Sequence, residues 1–223
     1  MAAEMAHIFL TDAHEMLPPA CVESADYFAV LVARARAGDE IAFERIMLAT
    51  EQRVVSIAWR MLGNRDDARD AAQDVYLRVF KYLAQFRAGE DFRGWLYRIT
   101  INVCHDFARK KGTSGFGQLD QIDFVQEGAA LETGRRGTDP ESLALHEQQL
   151  ALIRSALQSL PPKERAALVL RDLEGFSTEE VAQALGSRPV TVRSQVSSAR
   201  AKIKTYCDKL ARKKGRHNEN IEL

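Results

Sequence analysis

Residues 176–195 run FSTEEVAQALGSRPVTVRSQ, and the punctuation of this stretch decides the fold. Ser177 stands at a helix start with Glu180 three residues on, the spacing of a capping box worth about 1 kcal/mol. Phe176 and Val181 are spaced as its hydrophobic staple. The helix TEEVAQAL is short and ends at Gly186. A brief turn leads into PVTVRSQVSSARAKIKTYCDKL, a longer, basic, amphipathic run. Short helix, glycine turn and longer basic helix is the layout of a helix-turn-helix. Val181, Ala182, Leu185, Val192 and Val196 form its expected core.

In such a motif the N-terminal half of the second helix enters the major groove. Here that half offers Arg188, Thr191, Arg193, Ser194 and Gln195. Thr191 and Ser194 can bond phosphates, Arg193 can reach a guanine edge or a phosphate, and Gln195 can pair with adenine. The local charge agrees. From Ser177 to Arg216 there are ten basic side chains and three acidic ones, although the whole chain has a formal net charge of zero. A segregated basic end fits a polyanionic partner. The alternative is an ordinary helical hairpin with a basic exterior; capping box, glycine turn and charge together favour DNA binding.

Working outward, the 223 residues are 46% hydrophobic and 28% charged, enough chain for two small domains. The period is helical throughout, with no strand pattern and no repeat. Residues 25–37 form a short helix. In Ala42–Leu62 apolar residues recur at three- and four-residue steps, and Gly63-Asn64 ends the run. Asp66 suits the N-cap of the next helix, whose inner face is Ala68, Ala72, Val75, Val79 and Leu83. FRAGED, residues 86–91, breaks that helix, and a third follows with Phe92, Trp95, Leu96, Ile99, Val103 and Phe107 inward. These make a helical domain at 25–112. Residues 113–140 are rich in glycine, and Thr113–Glu147 carries seven acids against two bases, which predicts a flexible acidic linker. Residues 141–210 form the second helical domain, where Pro161-Pro162 restarts a helix that stops at Gly175. The expected fold is all-α: two small helical domains joined by the linker, the second carrying the helix-turn-helix. Residues 1–24 are an N-terminal extension within a segment free of Lys and Arg, and 211–223 are a basic tail.

Two helix faces in the first domain carry more than packing requires. In DFRGWLYRITIN, residues 91–102, Trp95, Leu96 and Ile99 fit the buried side, while Tyr97, Arg98, Asn102 and Asp106 fall off that stripe. A ring or guanidinium can stack on an unpaired base and an amide can read its edge, with Arg109, Lys110 and Lys111 as phosphate contacts. A solvated polar face accounts for the same spacing, which does not separate the two. In DDARDAAQDVYLRVFKYL the outward side shows Asp66, Asp67, Asp70, Gln73, Asp74 and Arg78. Acids early in a helix favour its dipole, and the same face can dock a basic partner helix.

Other chemistries find little support. Cys21, Cys104 and Cys207 are far apart and form no CxxC, so neither a disulfide framework nor a zinc knuckle is expected. Cys104, His105 and Asp106 are consecutive and diverge around a helix, which suits neither one metal ion nor a nucleophile–base–orienter set. No metal, cofactor or catalytic residue is expected, and the protein is not expected to be an enzyme. No apolar run is long enough to span a membrane, so the expected compartment is the cytoplasm.

Taken in order, GDEIAFERI, DDARDAAQDVYLRVFKYLAQF, FRGWLYRITINVCHDFARKK, the linker, then LQSLPPKERAALVLRDLEGFSTEEVAQALGSRPVTVRSQ resemble the extracytoplasmic-function (ECF) sigma factors of the sigma-70 family. The resemblance covers about residues 25–209. It implies a DNA-binding subunit of RNA polymerase. Asp70, Gln73, Asp74 and Arg78 would dock on the clamp helices of the largest polymerase subunit. Phe86, Arg87, Phe92, Arg93, Tyr97, Arg98, Asn102, Asp106, Arg109 and Lys110 would melt and hold the −10 element, with a flipped base near Asn102. Ser177, Arg188, Thr191, Arg193, Ser194, Gln195, Ser198 and Arg200 would serve the −35 element, and the second domain would lean on the flap of the second-largest subunit. The acidic linker would thread toward the RNA exit path. Promoter DNA, core polymerase and an anti-sigma factor are the implied partners, and a stress- or signal-responsive regulon the implied target. The sequence also departs from the family. Arg69 stands where an acid is usual, Val190 replaces the glycine before TV, and Gln195 and Ser198 stand where arginines are common. Fewer charges imply weaker phosphate binding and a flatter salt dependence. Rival readings are a helix-turn-helix regulator, which would need a strand-containing sensor domain, and a sigma-like interaction protein without initiating activity.

Overall fold

In the computed structural model residues 25–87, 89–111 and 140–219 are described, and every regular element among them is helical. In chain order they are α1 (Ala25–Arg36), α2 (Glu40–Leu62), α3 (Arg65–Tyr82), α4 (Phe92–Lys110), α5 (Pro140–Gln158), α6 (Pro162–Leu168), α7 (Thr178–Ala184) and α8 (Pro189–Glu219). A 3₁₀ turn, Leu83–Gln85, follows α3, and a π-helical turn, Val169–Leu173, extends α6. The expected extension, linker and end of the basic tail lie outside the described residues.

Local chemistry sets the helix ends. Asp39 caps α2, its carboxylate accepting the Ala42 amide at 3.0 Å and the Arg34 guanidinium at 2.6 Å. These bonds hold the Asp39 carboxyl below the usual carboxylate range, the Ala42 amide contributing most. At the other end Gly63 turns left-handed at φ 75°, and its N–H returns to the Trp59 carbonyl at 2.7 Å. That turn leaves Asn64 extended, and Asn64, rather than the expected Asp66, caps α3 by accepting the Asp67 amide at 3.0 Å. Asp66 and Asp67 fall instead in the first turn, where their negative charge complements the positive end of the helix dipole.

The first domain packs α1–α4 around Ile46, Val54, Ile57, Val75, Val79, Leu96 and Ile101, all essentially without solvent contact. Ala68, Ala71 and Ala72 keep α3 slim enough to lie close against its neighbours. At one end Phe28, Phe86, Phe92 and Trp95 form a ring cluster with centroids 5.2–5.8 Å apart. The second domain gathers Leu157, Leu168, Leu170, Leu173, Val181, Val192, Ala199 and Ile203. Its helix-turn-helix follows the sequence reading: the Ser177–Glu180 capping box is formed, and Val181, Ala182, Val192 and Val196 are buried with Leu185 half-buried.

The two domains also pack on one another. The last carbonyls of α2, those of Arg60 and Met61, have no partner within their own helix. Met61 O accepts a bond from the Arg165 guanidinium at the start of α6, and the Gln158 amide from the end of α5 reaches both carbonyls, at 3.3 and 3.4 Å. Arg165 is itself fixed by the Gln158 side chain at 2.7 Å and by the Gln158 and Leu160 carbonyls at 3.0 Å. A cation at a helix C-terminus complements its dipole. Beside this cap Arg60 donates to Glu174 at 2.6 Å, and Tyr97 meets Phe176 edge to face at 5.5 Å.

Candidate nucleic-acid interface

Helix α4 starts on Asp91, whose two carboxylate oxygens accept the amides of Arg93 and Gly94 at 3.1 and 2.9 Å. With the start fixed, residues 98, 102, 106 and 109 fall on one stripe at helical spacing. Arg98, Asn102 and Arg109 are exposed along it, and Lys110 and Lys111 extend it. Asp106 sits between two cations, bound to Arg78 of α3 at 2.9 Å and to Arg109 at 2.5 Å, so the Arg78 bond above all holds its carboxyl low. The polar stripe is thus braced against α3 at Arg78 and again where Lys111 pairs with Asp67.

The aromatic residues expected to flank this stripe are placed otherwise. Phe86 and Phe92 are buried in the ring cluster with Phe28 and Trp95, and Tyr97 is 1% exposed. In this arrangement none of the three offers a ring to a base. Tyr97 falls off the inner stripe of its own domain, as the periodicity predicts, but the space outside it is filled by Phe176. Burial pushes the Tyr97 hydroxyl up from its ordinary titration range. Arg87 and Arg93 remain exposed at the two ends of the loop that precedes α4.

On α8 the basic and polar residues separate into two groups. Arg188, Thr191, Arg193 and Ser194, at its N-terminal end, are exposed together with Val190. Arg193 makes only a 3.4 Å contact with Glu179 of α7, and both groups face solvent. Further along, Arg200 is bidentate on Asp172 at 2.7 and 2.8 Å, while Ser198 and Lys202 bond Glu164 at 3.2 and 2.8 Å. These bonds fix how α8 crosses α6 and the π-helical turn, so Ser198 and Arg200 position the helix here. Gln195 is half-buried with its Oε1 enclosed and without a partner, so a bidentate contact to adenine requires a change of rotamer. Ser177 is exposed, but its hydroxyl accepts the Glu180 amide at 3.2 Å in the capping box.

A third surface lies on α3. Asp70 and Gln73 are exposed, Asp74 is half-buried, and Arg78 is tied to Asp106. The sequence reading missed the apolar centre of this surface. Leu77 and Phe80, one turn apart, are 68% and 66% exposed, and Phe43 of α2 sits edge-on to Phe80 at 5.3 Å. An apolar centre with a polar rim is the composition of a protein interface. Among the described residues no group of His, Cys, Asp and Glu could hold a metal, and no helix is long and apolar enough to cross a membrane.

Residues 46–113 match the family described as sigma-70 region 2, and residues 150–203 match sigma-70 region 4. The ECF RNA polymerase sigma-E factor of Escherichia coli K12 is 30% identical over 188 residues, which cover 82% of this chain and 96% of that protein. This chain belongs to the ECF sigma factors of the sigma-70 family. The ECF RNA polymerase sigma factor SigE of Mycolicibacterium smegmatis is 35% identical over 77% of this chain, and the match spans 65% of that relative's length. Among solved structures, CnrH in complex with the cytosolic domain of CnrY matches with a TM-score of 0.62 at 25% identity, covering 83% of this chain and 99% of CnrH. The Bartonella quintana sigma factor RpoE, solved with the anti-sigma factor NepR, shares the fold at a TM-score of 0.52 and 24% identity, covering 73% of this chain and 94% of that one. Region 2 thus holds the α4 stripe and the α3 surface, and region 4 holds the helix-turn-helix.

Proposed function

We propose that this ECF sigma factor is a promoter-reading subunit of RNA polymerase that acts only when bound to the core enzyme. The observation that carries the reading is the pairing, within one chain, of two exposed polar faces of different kinds. The N-terminal end of α8 presents Arg188, Thr191, Arg193 and Ser194 to solvent, the residues by which the second helix of a helix-turn-helix would read a −35 element in the major groove. The α4 stripe presents Arg98 and Asn102 with cations behind them, a surface suited to an unstacked single strand at the −10 element. The Leu77–Phe80 centre, rimmed by Asp70, Gln73 and Asp74, is the docking face for the clamp helices of the largest core subunit. The chain supplies recognition and melting, and the polymerase carries out the chemistry.

Both structural relatives were solved with a second protein bound: CnrH with the cytosolic domain of CnrY, RpoE with the anti-sigma factor NepR. Our reading extends such a protein partner to this chain, and places its action in the cytoplasm with the polymerase. The test is run-off transcription with purified core polymerase on a promoter library. Start sites above core alone, with shared sequences near −10 and −35, are the expected result. No start site above core alone defeats the initiation reading and leaves a sigma-like interaction protein.

A further inference from the structure

Among the described residues Val190 is the one large apolar side chain exposed in the second domain, at 70%. A single exposed valine on a surface needs no explanation; the place of this one does. The Arg188 carbonyl accepts the Val192 amide at 3.1 Å, so Val190 falls in the first turn of α8. A β-branched residue there adds no helix propensity over alanine, and this one fills no core. Val192, Val196, Ala199 and Ile203 are buried and mark the inner side of the helix. At about 100° per residue the opposite side runs through Val190, Ser194, Ser197 and Ala201, all exposed. Val190 thus stands on the outermost ridge of α8, at the end that a helix-turn-helix sends into the major groove. In line behind it come only two hydroxymethyl groups and a methyl, short enough for the helix to sit close to bases.

The groups around it are polar. Thr191 flanks it on one side and Arg193 on the other, Arg188 precedes it, and all three are exposed. Gln195 turns away, half-buried with its Oε1 enclosed. Within the first two turns Val190 is the one wholly apolar side chain that is exposed. One apolar spot inside a polar rim complements the major-groove edge of thymine, where a C5 methyl lies beside the O4 acceptor. Cytosine shows an amine and no methyl at the same place. With the glycine usual in the family, the ridge would show only backbone at this point.

We propose that Val190 is a specificity-determining residue of α8, which covers the C5 methyl of a thymine in the −35 element. The inference rests on the −35 reading above and adds an apolar contact to its polar ones.

The test uses holoenzyme reconstituted from the full chain and core polymerase. A duplex library randomised over the −35 region first gives the preferred sequence. Each thymine in that duplex is then replaced in turn by deoxyuridine, which removes only the methyl, and binding is measured by fluorescence anisotropy at fixed salt. At one position the loss of the methyl is expected to weaken parent binding about fourfold, the value of one enclosed methyl. Val190→Ala is expected to bind the thymine and deoxyuridine duplexes alike, and Val190→Ile, which keeps the apolar branch, to retain the parent's discrimination. Thr191→Ser loses a methyl but keeps its hydroxyl, and it too is expected to retain the discrimination. Val190 is exposed, so thermal denaturation of its variants should match the parent. Equal discrimination in the parent and Val190→Ala overturns the proposal. So does discrimination lost in Thr191→Ser alone, which gives the contact to Thr191. Tighter binding of Val190→Ala to every duplex overturns it as well, since the valine would then only hold the helix out of the groove. A library that yields no −35 preference refutes the −35 reading and this contact with it; a clear preference with no methyl effect at any thymine refutes the contact alone.

Discussion

Replacing Arg193 and Arg200 one at a time tests whether the part of α8 proposed to meet DNA is separate from the part that holds the domain together. Arg193 is 63% exposed and its contact with Glu179 is long and solvated, an arrangement worth about 0–1 kcal/mol. Arg193→Ala is therefore expected to leave the melting temperature nearly unchanged. If Arg193 instead bonds a guanine edge or a phosphate, its loss costs about 1–3 kcal/mol of binding, roughly five- to hundredfold in affinity. It also removes one released counterion, so the plot of log K against log salt flattens by about 0.9. Arg200 is the opposite case. It is bidentate on Asp172, a carboxylate whose side chain is 8% exposed, and the bonds hold the guanidinium firmly charged. Arg200→Ala leaves Asp172 without its counter-charge, and, discounted for the 55% exposure of the arginine, is expected to destabilise by about 1 kcal/mol. Its salt slope should match the parent. The assay is fluorescence anisotropy of the reconstituted holoenzyme on a −35-containing duplex over a salt series, beside thermal denaturation of the free chain. A slope that flattens equally for both variants would show that Arg200 leaves Asp172 to meet phosphate, and would refute the division of α8 drawn here.

Three further outcomes are expected. Asn102 is exposed, so Asn102→Ala should leave the unfolding free energy within about 0.5 kcal/mol of parent while slowing open-complex formation, measured by permanganate footprinting, by roughly five- to hundredfold. Leu77→Ser and Phe80→Ser remove exposed apolar surface and are expected to weaken core binding tenfold or more by about 1.5–3 kcal/mol each, without lowering thermal stability; unchanged core affinity would remove α3 from the docking surface. Burial lowers the His105 titration range, the Arg165 and Lys163 charges add to this, and the Pro162 carbonyl and Asp106 pull it back. The enclosed ring thus binds fewer protons than a free one, so stability is intact above the ordinary imidazole range and falls as pH drops through and below it. His105→Gln should flatten the melting temperature between pH 7 and pH 5.

What was legible in the sequence is what local chemistry determines. Ser177, Glu180 and Gly186 are short-range signals, and the helix-turn-helix formed as they predict. The first domain was legible from its apolar stripes, with one boundary displaced: Gly63 turns left-handed and hands the cap to Asn64, a detail of backbone direction that residue preference for Asp66 does not contain. The residues least legible were charged ones inside apolar runs. Arg60 lies in IAWRML and Arg165 in KERAALVL, and neither run names a partner for its charge. Their partners lie about a hundred residues away, at Glu174 and at the Met61 carbonyl. Tyr97 belongs to the same class: it is off-stripe for its own domain, and Phe176, which buries it, reaches it only through tertiary packing.

The chemistry of the seam between the two domains is set by the ion pair at its centre. A boundary of close-packed leucines and isoleucines would gain free energy with every apolar group enclosed, and would oppose separation in proportion to its area. Here the centre is an ion pair, whose attraction is largely offset by the cost of taking both charges out of water. Burial raises the Glu174 carboxyl and lowers the Arg60 guanidinium, and each partner's charge counters the shift in the other. Such a pair adds little net stability, yet losing either member leaves an uncompensated charge, so it dictates which surfaces meet more than how tightly.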